Sequence, residues 1–204
     1  RVLWDAGSAG AQSMVTSAQA IAMAQYANAK HGLNPGQEAA VRCGVEQALT
    51  VVWGPPGTGK TKTLAATVHT LIHDANARGS GLKVLVVGPT YKAIEELISR
   101  IITAIDQDAG CVADVCVAYS RSSKPNAFST TSTRIAASSF QIDGNDPGFS
   151  SCIASIQDAS RVSVVATTVM QAYKFARELH GGDYVAPVFD AVFIDESSQV
   201  PVSR

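Results

Sequence analysis

Gly54-Pro55-Pro56-Gly57-Thr58-Gly59-Lys60-Thr61 is the stretch whose reading decides the fold. Glycines at 57 and 59 let the backbone take positive φ and turn successive N–H groups toward one point, which an anion would fill. Lys60 and Thr61 place a point charge and a hydroxyl immediately after them. The β-rich run Leu49 to Trp53 predicts a strand before the octet. Leu64, Val68, Leu71 and Ile72, spaced i, i+4, i+7, i+8, predict a helix after it. Strand, glycine-rich turn and helix N-terminus in that order make a phosphate cradle, because the positive end of the helix points at the same anion.

The octet fits G-x-x-x-x-G-K-[ST], the phosphate loop of P-loop NTPases, and predicts ATP with Mg²⁺ as the ligand. Gly54, Pro55, Pro56, Gly57, Thr58 and Gly59 would surround the phosphates, Lys60 would reach the β- and γ-phosphates, and Thr61 would offer its hydroxyl to Mg²⁺. The same alternation recurs downstream. Val84 to Val87 reads as a buried strand, followed by a helix with Ile94, Leu97, Ile98 and Ile101 on one face. Val162 to Ala166 reads as another, followed by a helix with Val169, Ala172, Tyr173 and Ala176 on one face. Val112 to Val117 adds a strand, and Val188 to Ile194 closes the series on Asp195-Glu196. Continuous apolar strands alternating with amphipathic helices imply an α/β fold, a parallel sheet covered on both faces. Its carboxyl edge is where such sheets hold ligands, so Asp195 is a candidate to hold Mg²⁺ and Glu196 to orient or deprotonate an attacking water.

Outside this core, Met14 to Lys30 reads as a loosely amphipathic helix, and residues 1–31 are taken as an N-terminal helical extension. An ATP-binding domain is expected over 32–204. It would open with a helix over about 35 to 47, with Asn34 as N-cap and Pro35 at its first position. Residues 120–151 are Ser/Thr-rich with strong turn chemistry at Gly144-Asn145-Asp146-Pro147-Gly148, and read as a polar insertion or loop, its few cations Arg121, Lys124 and Arg134 solvated. A formal net charge of −1 denies the chain the electrostatic footprint of a free-standing nucleic-acid binder. No apolar run approaches the roughly 18 residues of a membrane span, so no membrane role is expected. Cys43, Cys111, Cys116 and Cys152 form no CxxC pair and no matching histidine cluster, which argues against a zinc site and for buried thiols in a reducing, intracellular compartment.

Five segments in order carry a resemblance: Leu33-Asn34-Pro35-Gly36-Gln37, the octet, Val87-Gly88-Pro89-Thr90-Tyr91-Lys92-Ala93, Val165-Ala166-Thr167-Thr168 and Asp195-Glu196-Ser197-Ser198-Gln199. They resemble the Q motif and motifs I, Ia, Ib and II of superfamily 1 helicases, nearest the group that includes the nonsense-mediated-decay helicase. The long interval between Lys60 and Asp195, with strand-helix units inside it, favours this family over AAA+ ATPases.

The resemblance implies that Gln37 reads adenine, although the same residue at N3 behind an Asn34 cap would also complete a capping box. It implies that Thr90, and Thr167 or Thr168, touch the backbone of single-stranded DNA or RNA, and that Gln199 senses the γ-phosphate. Ser197 departs from the family's usual alanine. A second RecA-like domain, carrying an arginine that completes the site, would follow Arg204, so slow turnover by this chain alone is expected. An AAA+ remodelling ATPase and a non-catalytic, nucleotide-gated binding module are the competing readings.

Overall fold

The computed structural model describes residues 15–120, 122–123, 133–142, 145–179 and 188–197. Two compact units divide the chain, Arg1–Thr70 and Leu71–Arg204. In the first unit, Ala24 and Ala27 of α1 (Ser17–His31) pack with Leu33, Val41 and Ala66. Both ends of α1 are chemically defined: the Thr16 side chain accepts from the Gln19 N–H, Gln19 answers the Thr16 N–H at 2.8 Å, and Gly32 closes the helix in the left-handed region at φ 57°.

Helix α2 (Pro35–Glu46) starts as its sequence requires, on an Asn34 cap with Pro35 in its first turn, and buries Val41 and Val45. After it, Leu49 to Trp53 is not a strand. Among the described residues of the first unit there is no strand to pair with it, and Val51 and Trp53 are 78% and 88% exposed. A β-former needs a ladder partner before its propensity is expressed. Helix α3 (Lys60–Arg78) begins directly on the phosphate-loop lysine.

The second unit is built on a five-stranded, wholly parallel sheet in the order β3-β2-β4-β1-β5. Its strands are β1 (Leu82–Gly88), β2 (Ala113–Tyr119), β3 (Ile135–Gln141), β4 (Val162–Thr168) and β5 (Ala191–Ile194). In β1, β2 and β4 nearly every residue is buried, so both faces are covered, the signature of a parallel sheet between helices. Helix α4 (Tyr91–Asp106) buries the expected Ile94, Leu97, Ile98 and Ile101. Cys116, Ala118 and Val165 on one sheet face meet Phe149, Cys152 and Ile156 of α5 (Pro147–Gln157) and Phe175 of α6 (Val169–Leu179).

Three expectations fail here. The stretch read as a polar loop over 120–151 contains β3 and the start of α5: Phe140 and Phe149 are buried, Asp146 caps α5 through the Gly148 N–H at 2.8 Å, and Pro147 opens the helix. A few aromatics in a Ser/Thr-rich context were enough to seat an edge strand. Arg134 is not solvated either, because it donates to the Asp106 carbonyl at the end of α4 at 3.0 Å; Arg121 and Lys124 fall outside the described residues. In α6 the buried face is Gln171 and Phe175, while Tyr173 is 58% exposed. Phe175 stacks within a cluster of Phe140, Phe149 and Phe189, and so outweighs the smaller side chains that suggested the other face.

Candidate nucleotide site

The phosphate loop has the backbone its glycines anticipated. Gly57 and Gly59 lie at φ 81° and 82°, a region closed to residues with a Cβ at a cost of about 1–2 kcal/mol each. Gly59 also admits a close neighbour, since a Cβ there would stand 2.7 Å from the Gln37 amide nitrogen. Thr58 braces the turn by donating its hydroxyl to the Pro55 carbonyl at 2.8 Å. Lys60 folds its ammonium back onto the carbonyls of Gly54 and Pro55 at 2.8 and 3.1 Å. An anion arriving at the loop would compete with those carbonyls for the same charge. Thr61 lies in the first helical turn, half-buried. A turn with two left-handed glycines, a lysine and a helix N-terminus fits a nucleotide polyphosphate.

Gln37 joins this loop from α2. Its side-chain oxygen accepts the Asn34 N–H at 3.0 Å, completing the capping box, and its amide nitrogen donates to the Thr58 carbonyl at 3.0 Å. One amide therefore starts a helix and tethers the phosphate loop. The tether is invisible in the local sequence, because it spans residues 37 to 58.

In the second unit, Asp195 and Glu196 follow β5. The Asp195 N–H donates to the Val87 carbonyl at 2.8 Å, and the Asp195 side chain accepts from the Glu196 N–H at 3.0 Å. Glu196 takes φ 49°, unusual for a residue with a Cβ, a backbone conformation that costs about 1 kcal/mol. Thr90 caps α4, its hydroxyl accepting from the Ala93 N–H at 3.3 Å. Thr167 is fully buried and donates to the Ala118 carbonyl at 2.8 Å, whereas Thr168, next to it, is partly open. Of the two threonines offered for one role, only Thr168 has an accessible side chain. Ser197 ends the described segment, and Ser198 and Gln199 lie outside it.

Residues 32–145, more than half of the chain, match the AAA_11 family, described as an AAA domain. The chain belongs to that family. Relatives include the ATP-dependent helicase upf1 of Schizosaccharomyces pombe, 40% identical over 34% of this chain and 8% of that protein. A regulator of nonsense transcripts 1 homolog of Arabidopsis thaliana is 41% identical over 34% of this chain and 5% of its own length. The RecD subunit of the RecBCD enzyme of Mycolicibacterium smegmatis is 38% identical over 35% of this chain and 13% of its own. The AAA_11 chain thus matches only a small fraction of each relative. The resemblance to superfamily 1 helicases of the nonsense-mediated-decay group agrees with these relatives, and the wholly parallel sheet agrees with a RecA-like P-loop fold. Among the described residues no helix is long and apolar enough to cross a membrane.

Proposed function

We propose that this chain is the ATP-binding part of a nucleic-acid helicase motor. What supports the reading most is the phosphate loop itself, with positive φ at Gly57 and Gly59 immediately before Lys60 and the N-terminus of α3. In the proposed roles the loop N–H groups and Lys60 hold the phosphates of Mg-ATP, and Thr61 and Asp195 serve the cation. Glu196 positions the water that attacks the γ-phosphorus and takes its proton, in the manner of in-line phosphoryl transfer. Gln37 meets adenine at the loop it already tethers, and Gln199 responds to the γ-phosphate. Thr90 and Thr168 contact the backbone of a single strand. Slow turnover by this chain alone belongs to the same proposal, and steady-state hydrolysis with and without single-stranded nucleic acid checks it.

The test is titration of Mg-ATP against the chain and its Lys60→Ala variant. Loss of the ammonium is expected to weaken binding at least about tenfold, roughly 1.4 kcal/mol. Equal affinity in the two proteins would refute the reading.

A further inference from the structure

We propose that His73, Asp108 and Cys111 form a divalent-metal site of Zn²⁺ type at the edge of the sheet opposite Asp195. The three donors come from the second half of α3 and from the turn between α4 and β2. His73 Nδ1 lies 3.3 Å from Asp108 Oδ2, Cys111 Sγ lies 3.5 Å from the same oxygen, and Sγ and Nδ1 are 4.0 Å apart. With Zn–N and Zn–O near 2.0–2.1 Å and Zn–S near 2.3 Å, the edges of a tetrahedron would be about 3.3 to 3.6 Å. Two of the three separations already fall in that range. The third needs a shift of a few tenths of an ångström in the His73 ring.

The surroundings orient the donors. Asp108 sends Oδ1 to the Gly110 N–H at 3.1 Å, which leaves Oδ2 turned to the histidine and the thiol. The turn is closed by the Cys111 N–H on the Asp108 carbonyl at 3.1 Å. Gly110 allows the backbone to pass close to the imidazole, since a Cβ there would stand 3.2 Å from both Nδ1 and Cε1 of His73. Asn76, one turn after His73 on α3, donates to the Val112 carbonyl at 3.0 Å and fixes the helix against the same turn.

Burial favours a cation. Cys111 is fully buried and Asp108 nearly so, while the His73 side chain is 33% exposed. Binding would exchange the thiol proton, released to solvent, for the metal, with the neutral His73 ring coordinating through Nδ1 and keeping its proton on Nε2, and a water could take the fourth position on the open side of His73. Nitrogen, oxygen and sulfur donors together suit Zn²⁺ better than Mg²⁺ or Ca²⁺, which take oxygen. The turn precedes β2 and so lies at the amino edge of the sheet, while Asp195 lies at the carboxyl edge, so the role is structural: a clamp joining α3 to the α4–β2 corner.

Co²⁺ titration into the chelator-treated 204-residue chain tests this. One equivalent is expected to give visible d–d bands and a near-ultraviolet thiolate-to-cobalt band. Cys111→Ser should abolish the thiolate band, His73→Ala and Asp108→Asn should weaken Co²⁺ affinity at least about tenfold, and Cys43→Ser should change nothing. Should a variant fail to fold, Zn²⁺ added to the unaltered chain should still raise Tm by about 5 °C or more, with Mg²⁺ as the inactive control. Absence of the thiolate band, its persistence in Cys111→Ser, or no Zn²⁺-dependent rise in Tm would overturn the proposal.

Discussion

Gln37 holds two structures at once, and substitution can separate them. Gln37→Glu keeps an oxygen for the Asn34 N–H, so the capping box survives. It also adds a negative charge in the first turn of α2, worth about 0.3–1 kcal/mol. The donor to the Thr58 carbonyl is lost, at about 1 kcal/mol, and an oxygen faces an oxygen. These effects nearly cancel in global stability, leaving the variant within about 1 kcal/mol of the parent. The phosphate loop, however, loses its tether, and affinity for Mg-ATP should fall about tenfold, roughly 1.4 kcal/mol. Asn34→Ala does the reverse: it removes the N-cap at a cost of about 1 kcal/mol and leaves the amide on Thr58. Urea unfolding and titration with a fluorescent ATP analogue measure the two quantities side by side. Were Gln37→Glu to bind nucleotide as tightly as the parent, or Asn34→Ala to weaken binding as much as Gln37→Glu, the tether would have no part in the site.

Lys83→Met should destabilise the second unit by about 2–4 kcal/mol in urea melts, because the buried ammonium donates to the carbonyls of Ser155, Asp158 and Arg161, which methionine leaves unpartnered; a loss under about 0.5 kcal/mol would contradict this. Burial first, then Lys62 and Lys30, lowers the pKa of His31 from 6.5, and its ring meets His69 at 3.0 Å. The unfolded chain therefore takes up the proton at higher pH than the folded one, so stability is full above 6.5 and falls as pH drops through the lowered value. The urea midpoint should drop between about pH 7.5 and 5.5, and His31→Gln should reduce that drop; an equal drop in both proteins would refute it. Glu196→Gly relieves a left-handed backbone and should raise stability by about 0.5–1 kcal/mol net of glycine's entropy, while lowering nucleic-acid-stimulated hydrolysis at least about a hundredfold in a longer protein that contains this chain. Unchanged hydrolysis would remove Glu196 from the chemistry.

The sequence is legible where one local cause dominates. The conformations of Gly57 and Gly59, the Asn34 cap and the apolar face of α4 follow from residues within a turn of one another, and each is present. The cap of α1 is equally local, a Thr16-x-x-Gln19 box, but it precedes a helix whose weakly amphipathic pattern hides it. Leu49 to Trp53 carried the right propensity but needed a ladder partner that propensity cannot supply. β3 and α5 were hidden by the opposite effect, a polar composition around a few decisive aromatics. At the site, Thr167 and Thr168 are indistinguishable in sequence, and only the alternation of β4 turns one inward to Ala118 and leaves the other open. The proximity of His73 to Asp108 and Cys111 is illegible in the sequence for a related reason: a histidine on one helix and an Asp108-x-x-Cys111 turn have no shared motif spacing and meet only through the packing of α3 against the α4–β2 corner.

β5 shows how a distant contact can govern the acidic pair. It is four residues long, among the described residues pairs with β1 alone, and leaves Val192 and Ile194 about half exposed, too little burial to fix its position by packing. Backbone bonds pin it at both ends instead, Asp190 N–H to the Lys83 carbonyl and Asp195 N–H to the Val87 carbonyl, each at 2.8 Å. The Asp190 carboxylate returns to the Lys83 N–H at 2.7 Å. Lys83 is therefore the hinge of two attachments, its backbone holding the start of β5 and its ammonium holding the loop between α5 and β4. β1 is buried on both faces and transmits that position along its length to Val87, where Asp195 is fastened. The placement of the acidic pair at the carboxyl edge thus depends on a lysine at the amino edge, one strand-length away, which touches neither of the two acids.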